Sequence, residues 1–108
     1  MAKTEQSISF FERFKMDILA QKKTITLRDA SESHFKVGQV LNVMALETGK
    51  HFCDIKVERT TNIAFDALTY RHAKQENMTL NQLKSLIQDI YPGIRTLFMI
   101  EFSLIGSS

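Results

Sequence analysis

The stretch that most constrains the fold is Thr96-Leu97-Phe98-Met99-Ile100-Glu101-Phe102-Ser103-Leu104, set just behind the helix-stopping pair Pro92-Gly93. A strand this apolar is covered on both faces, so it reads as central in a sheet. The rest of the chain has to provide its neighbours and its covering layers.

Neighbours are visible upstream. Thr24-Ile25-Thr26-Leu27-Arg28 alternates polar and apolar, the pattern of a half-buried strand. Ile25 and Leu27 face the core, and Thr24, Thr26 and Arg28 share the other face. Gln39 to Leu46 and His51 to Arg59 read as two more strands, with Glu47-Thr48-Gly49-Lys50 as the hairpin turn. Helical spacing of Phe11, Phe14, Ile18 and Leu19, with Ser9 and Glu12 in capping-box positions, predicts a helix from Phe10 to about Ala20. A second helix is predicted from Phe65 to Glu76. A third follows the capping box Thr79-Leu80-Asn81-Gln82, with Leu83, Leu86, Ile87 and Ile90 in its apolar stripe. The order points to an α+β domain whose mixed sheet curls into a small β-barrel flanked by about three helices. Periodicity alone does not choose between barrel and open sheet.

Composition excludes several classes of function. The 108 residues suit one domain, taken as 1–105, with Gly106-Ser107-Ser108 as a loose tail. With 44% apolar residues, no staple is needed for a core. A net charge of +2 gives no electrostatic footprint for nucleic acid. No run of 18 apolar residues is present, and the polar start through Gln6 lacks the apolar segment of a signal peptide. Cys53 stands alone, so it forms no internal bridge and reads as a small buried hydrophobe in a reducing cytoplasm. His34, His51 and His72 lack zinc spacing. His72 and Glu76 could lie on one helix face, but no third ligand accompanies them, so no metal is expected. No glycine-rich phosphate loop and no nucleophile elbow occur, and no other cofactor is implied.

The densest polar stretch is Gln21-Lys22-Lys23-Thr24-Ile25-Thr26-Leu27-Arg28. Read plainly, it is an edge strand with a wet face. A functional reading requires Lys23 and Thr26 to meet. Three residues apart on a regular strand, they point to opposite faces. They converge only if the chain bends at the helix-to-strand turn where Lys23 lies.

Lys23-x-x-Thr26-x-Arg28 after a short helix resembles the core motif of the ASCH domain family. The likeness covers nearly the whole chain: Ser9-Phe10-Phe11, Asp17-Ile18-Leu19-Ala20, Ser31-Glu32-Ser33-His34-Phe35, Gln75-Glu76-Asn77-Met78-Thr79-Leu80 and Asp89-Ile90-Tyr91-Pro92-Gly93 are similar to the small YqfB-type bacterial members. Where the family motif begins with Gly, this chain has Gln21; Gly there favours a left-handed turn after the helix.

The resemblance implies a PUA-like barrel and an amidohydrolase acting on N4-acetylcytidine. It further implies Lys23 as proton acceptor, Thr26 as nucleophile and Glu76 as proton donor. A threonine hydroxyl needs a base to take its proton, and Lys23 serves only when neutral, which burial and the nearby Arg28 charge favour. Glu76 must carry a proton, which the negative end of a helix dipole favours. Arg28, Ser33, His34 and Tyr91 are candidate substrate contacts. Arg28 or backbone N–H groups of the following loop are candidate oxyanion donors. The partner implied is a small modified nucleoside, with no membrane and no stable nucleic-acid complex expected; the oligomeric state stays open, a monomer being favoured. The alternative is a non-catalytic RNA-binding module, but that function favours a basic stripe with exposed aromatics.

Overall fold

The computed structural model describes residues 6–107. Five strands and three α-helices follow in order: β1 (Ser7–Phe10), α1 (Lys15–Leu19), β2 (Ile25–Arg28), β3 (Val40–Ala45), β4 (His51–Ala64), α2 (Tyr70–Gln75), α3 (Leu80–Ile90) and β5 (Thr96–Ser107). Short 3-10 turns precede α1, follow β2 and precede α2.

One sheet holds all five strands in the order β1-β3-β4-β5-β2. β1 runs parallel to β3, and the other neighbours are antiparallel. The apolar terminal strand is interior, as expected, although the middle place belongs to β4. Both faces of β5 are covered. Phe98, Ile100 and Phe102 pack into a core with Ile8, Phe10, Ile18, Leu41 and Ile55. Leu97 enters a second core with Leu27, Leu68, Ala73, Leu83 and Ile87, under α2 and α3.

The α+β class holds, but the barrel is not closed: β1 and β2 are the two edges and do not pair. In a flat five-stranded sheet these edges would lie roughly 19 Å apart. Here Arg28 Nη2 of β2 donates to Ser9 O of β1 at 2.8 Å, so the sheet curls until one side chain spans the gap.

Four boundaries differ from expectation, the first being the end of β4, which runs to Ala64 past the expected Arg59. Ser7–Phe10 is a strand, so Ser9 caps no helix; Ile8 and Phe10 are buried in alternation, and the Glu12 N–H is taken by Glu47 Oε1 at 2.8 Å. The predicted helix over 65–76 is broken at Leu68, whose extended ψ of 135° separates a 3-10 turn from α2; Thr69 then caps α2. The expected tail from 106 is strand as far as Ser107, with Gly106 opposite Asp54; Ser108 and residues 1–5, where the absence of a signal peptide was read, lie outside the described residues. Among the described residues, no helix is long and apolar enough to cross a membrane. Cys53 is buried and free, and burial pushes its thiol up to about 11.

Candidate active site

Two helix ends bring the polar residues together. After α1, Gln21 adopts φ 60°, its N–H donates to Ile18 O at 3.0 Å, and the Lys22 N–H donates to Asp17 O at 2.9 Å. This is a Schellman turn, the left-handed stop that glycine ordinarily occupies. After α2 the same pattern recurs at Asn77, with φ 59°, Asn77 N–H to Lys74 O at 2.9 Å and Met78 N–H to Ala73 O at 2.9 Å. The first turn reverses the chain and brings Lys23 Nζ against the Phe10 and Phe14 rings ahead of α1. The second leaves Glu76 as the C-cap of α2. Thr24 N–H donates to Gln75 O at 2.8 Å, which joins the two turns.

Among the described residues, the buried polar or charged side chains are Lys23, Thr26 and Glu76, each 3–4% exposed. Lys23 Nζ is ion-paired to Glu76 Oε1 and donates to Ile25 O at 3.1 Å. The Phe14 and Phe10 rings lie 4.9 and 5.6 Å from Nζ. Burial pushes the Lys23 pKa below its ordinary value, the Glu76 charge opposes this, and the Arg28 charge adds to it.

Thr26 and Lys23 line one cavity, so the bend at residue 23 overcomes the opposite-face rule of a regular strand. The expected wet face of β2 is not wet: Ile25, Thr26 and Leu27 are all buried. Arg28 Nε donates to Thr26 Oγ1 at 2.9 Å, and Arg28 Nη1 holds both carboxylate oxygens of Glu32 at 3.0 Å. With the Ser9 carbonyl on Nη2, Arg28 is a fixed clamp between β1, β2 and the turn after β2. Its Nε occupies one lone pair of Thr26 Oγ1, so the threonine proton is directed elsewhere.

The cavity holds about 410 Å³, within the usual range for small-molecule sites. It opens in the gap between the sheet edges, bounded by Ser7 to Phe10 of β1 and by Thr26 to Arg28 of β2. Phe11, Phe14, Leu86 and Tyr91 add an apolar wall, and the exposed Leu46 and Ile90 form its rim. Glu76 is not among the lining residues; it lies behind Lys23.

Tyr91 is placed in the cavity by the end of α3, and burial pushes its pKa up. Ser33 and His34 do not line it. Both are exposed; Ser33 Oγ donates to Ala30 O at 2.8 Å, and the His34 ring lies 4.2 Å from that of Phe35. Their loop turns away because Asp29 caps the 3-10 turn that follows β2. His72 Nδ1 accepts the Thr69 N–H at 3.1 Å as part of the α2 cap, whereas Glu76 faces Lys23. Sequence reasoning missed Ser7, Ser9 and Glu32. The Ser7-Ile8-Ser9-Phe10 alternation was the available signal for the first two.

The curled five-stranded α+β sheet is the fold of solved ASCH domains. An ASCH domain from Lactobacillus crispatus has the same fold, with a TM-score of 0.79 over 95% of this chain and 81% of that one at 15% identity. An Enterococcus faecalis protein gives a TM-score of 0.78 over 99% and 79% of the two chains at 13% identity. No family model matches the chain. The N(4)-acetylcytidine amidohydrolase of Escherichia coli K12 is 56% identical over 95 residues, covering 88% of this chain and 92% of that protein; the Shigella dysenteriae protein of the same name matches equally. The chain belongs to the N(4)-acetylcytidine amidohydrolase family, and it is a hydrolase.

Proposed function

We propose that this enzyme hydrolyses the acetyl amide of N4-acetylcytidine to cytidine and acetate, with Thr26 as nucleophile. One observation carries the reading: among the described residues the three buried polar side chains are Lys23, Thr26 and Glu76, two of them on the cavity and the third paired to Lys23. Burying such groups away from water is costly unless they are paired or used.

Lys23 and Glu76 share one proton at the start, with Nζ neutral. Thr26 Oγ attacks the acetyl carbon, and its proton passes to Lys23. The tetrahedral intermediate collapses, the C–N4 bond breaks, and the leaving nitrogen takes a proton from the pair. Because Glu76 lies behind Lys23, its proton reaches the cavity through Nζ. Water then attacks the acetyl ester of Thr26 and gives a proton to the pair. The pair returns a proton to Thr26 Oγ as acetic acid leaves and ionises to acetate in solvent. Arg28 holds Oγ throughout and favours its anionic character.

The apolar wall formed by Phe11, Leu86 and Tyr91 suits the flat face of a cytosine, and the open rim leaves room for the ribose. A cavity of this size suits a free nucleoside, handled in the cytoplasm without a cofactor. Chromatography of N4-acetylcytidine incubated with the enzyme tests the reading. Wild type should release cytidine, and Lys23→Ala, Thr26→Ala and Glu76→Ala should each lose at least about 10²-fold in kcat. A folded wild type without turnover, or variants that keep full activity, would contradict it.

A further inference from the structure

The reaction needs hydrogen-bond donors where the acetyl oxygen becomes an anion. The side chains around Thr26 are largely committed. Arg28 spends Nε on Thr26, Nη1 on the two oxygens of Glu32 and one hydrogen of Nη2 on Ser9 O. Lys23 is held by Glu76 and Ile25 O. The loop after β2 turns its own groups inward on Asp29 and Ala30.

The edge strand β1 has a free side. Gln6 O and Phe10 O accept from Asn42 N and Leu46 N at 2.9 and 2.8 Å, so the even-numbered residues of β1 direct their backbone groups at β3. The odd-numbered residues direct theirs the other way, across the gap. Ser9 O does so visibly, because it meets Arg28. In a strand, the N–H and C=O of one residue point to the same side, so the Ser9 N–H also faces the gap. Ser9 lines the cavity opposite Thr26, and one guanidinium edge holds both Thr26 Oγ1 and Ser9 O.

We propose that the Ser9 backbone N–H on the open edge of β1 is the oxyanion donor for acyl transfer to Thr26. Arg28 sets its distance from the nucleophile by binding the carbonyl of the same residue. The incomplete barrel then has a catalytic use: a β1–β2 pair would consume this N–H in a ladder. The inference rests on the amidohydrolase reading above.

Proline at position 9 removes the N–H at a point where the ladder does not use it, which edge strands tolerate. Ser9→Pro is compared with wild type for N4-acetylcytidine hydrolysis, cytidine inhibition and thermal unfolding. Incorporation of the α-hydroxy analogue of serine at 9 replaces the N–H by oxygen, keeps the side chain and covers the case in which proline prevents folding. The expected result is a fall in kcat of about 10²–10³-fold, with the cytidine inhibition constant unchanged, because cytidine has no acetyl oxygen. Undiminished kcat in either folded variant overturns the inference. Equal weakening of cytidine binding also overturns it, since the N–H would then hold the base. Wild type unable to hydrolyse N4-acetylcytidine would instead remove the reading on which it rests.

Discussion

Asn77 Nδ2 donates to Asp17 Oδ1 at 3.1 Å and so ties the end of α2 to the middle of α1, 60 residues away in the chain. Asp17 O also receives the Lys22 and Lys23 N–H groups. One aspartate thereby positions Lys23 through its backbone and Glu76 through the neighbouring Asn77. Asn77→Ala should cost about 1–3 kcal/mol, from strain at positive φ and loss of the bond. Asn77→Gly, free of the strain, should cost about 1 kcal/mol. Urea unfolding orders the two, and equal losses would mean the φ of 59° contributes nothing.

Gln21 occupies the other left-handed stop without the freedom of glycine. Its side chain is exposed and has no packing to lose. Gln21→Gly should therefore stabilise the protein by about 0.5–1 kcal/mol. Calorimetry should show a Tm several degrees higher at unchanged activity, and a lower Tm would disprove the strain.

On the proposed mechanism, the buried Lys23–Glu76 pair is held for chemistry at some expense of stability. With the Lys23 pKa lowered in the fold, the unfolded chain binds more protons between that value and the ordinary lysine value. Stability therefore rises with pH across this window, and the contribution is unfavourable below it. Lys23→Met with Glu76→Leu should be inactive yet equal in stability, or more stable by about 1–4 kcal/mol. In the wild type, kcat/KM should rise to the pH at which the pair keeps one proton, with Nζ neutral, and fall again as that proton is lost. A pH profile flat across the alkaline range would remove Lys23 from the role of base.

Arg28 joins Thr26, the β1 edge and Glu32 through one planar group. A lysine ammonium cannot reproduce three directed contacts. Arg28→Lys should lower kcat roughly 10²-fold with a small stability change. Steady-state kinetics that match the wild type would reduce the clamp to packing.

Much of this was legible in the chain. The α3 stripe, the Thr79 capping box and the apolar β5 follow from periodicity, and the structure keeps all three. The start was misread because Ser9 and Glu12 satisfy a capping-box pattern, whereas a strand as short as Ser7–Phe10 gives two alternations and is fixed by pairing with β3. Lys23 and Thr26 could be named as candidates from the motif, but their shared cavity depends on a left-handed turn at Gln21, a residue whose type does not announce it. Ser33 and His34 were polar and close in sequence, but the Asp29 cap carries them out of the cavity. Glu32 reaches Arg28 from the same turn, a contact set by the 3-10 geometry of Ala30–Glu32.

The most direct test concerns Thr26. Enzyme mixed with N4-acetylcytidine and acid-quenched within the first turnover is digested and analysed by mass spectrometry. The expected result is an acetyl group on the peptide at Thr26, appearing with the first equivalent of cytidine and absent from Thr26→Ala. Cytidine formed at full rate by Thr26→Ala, with no acetylated peptide in the wild type, would contradict the account and assign the attack to water.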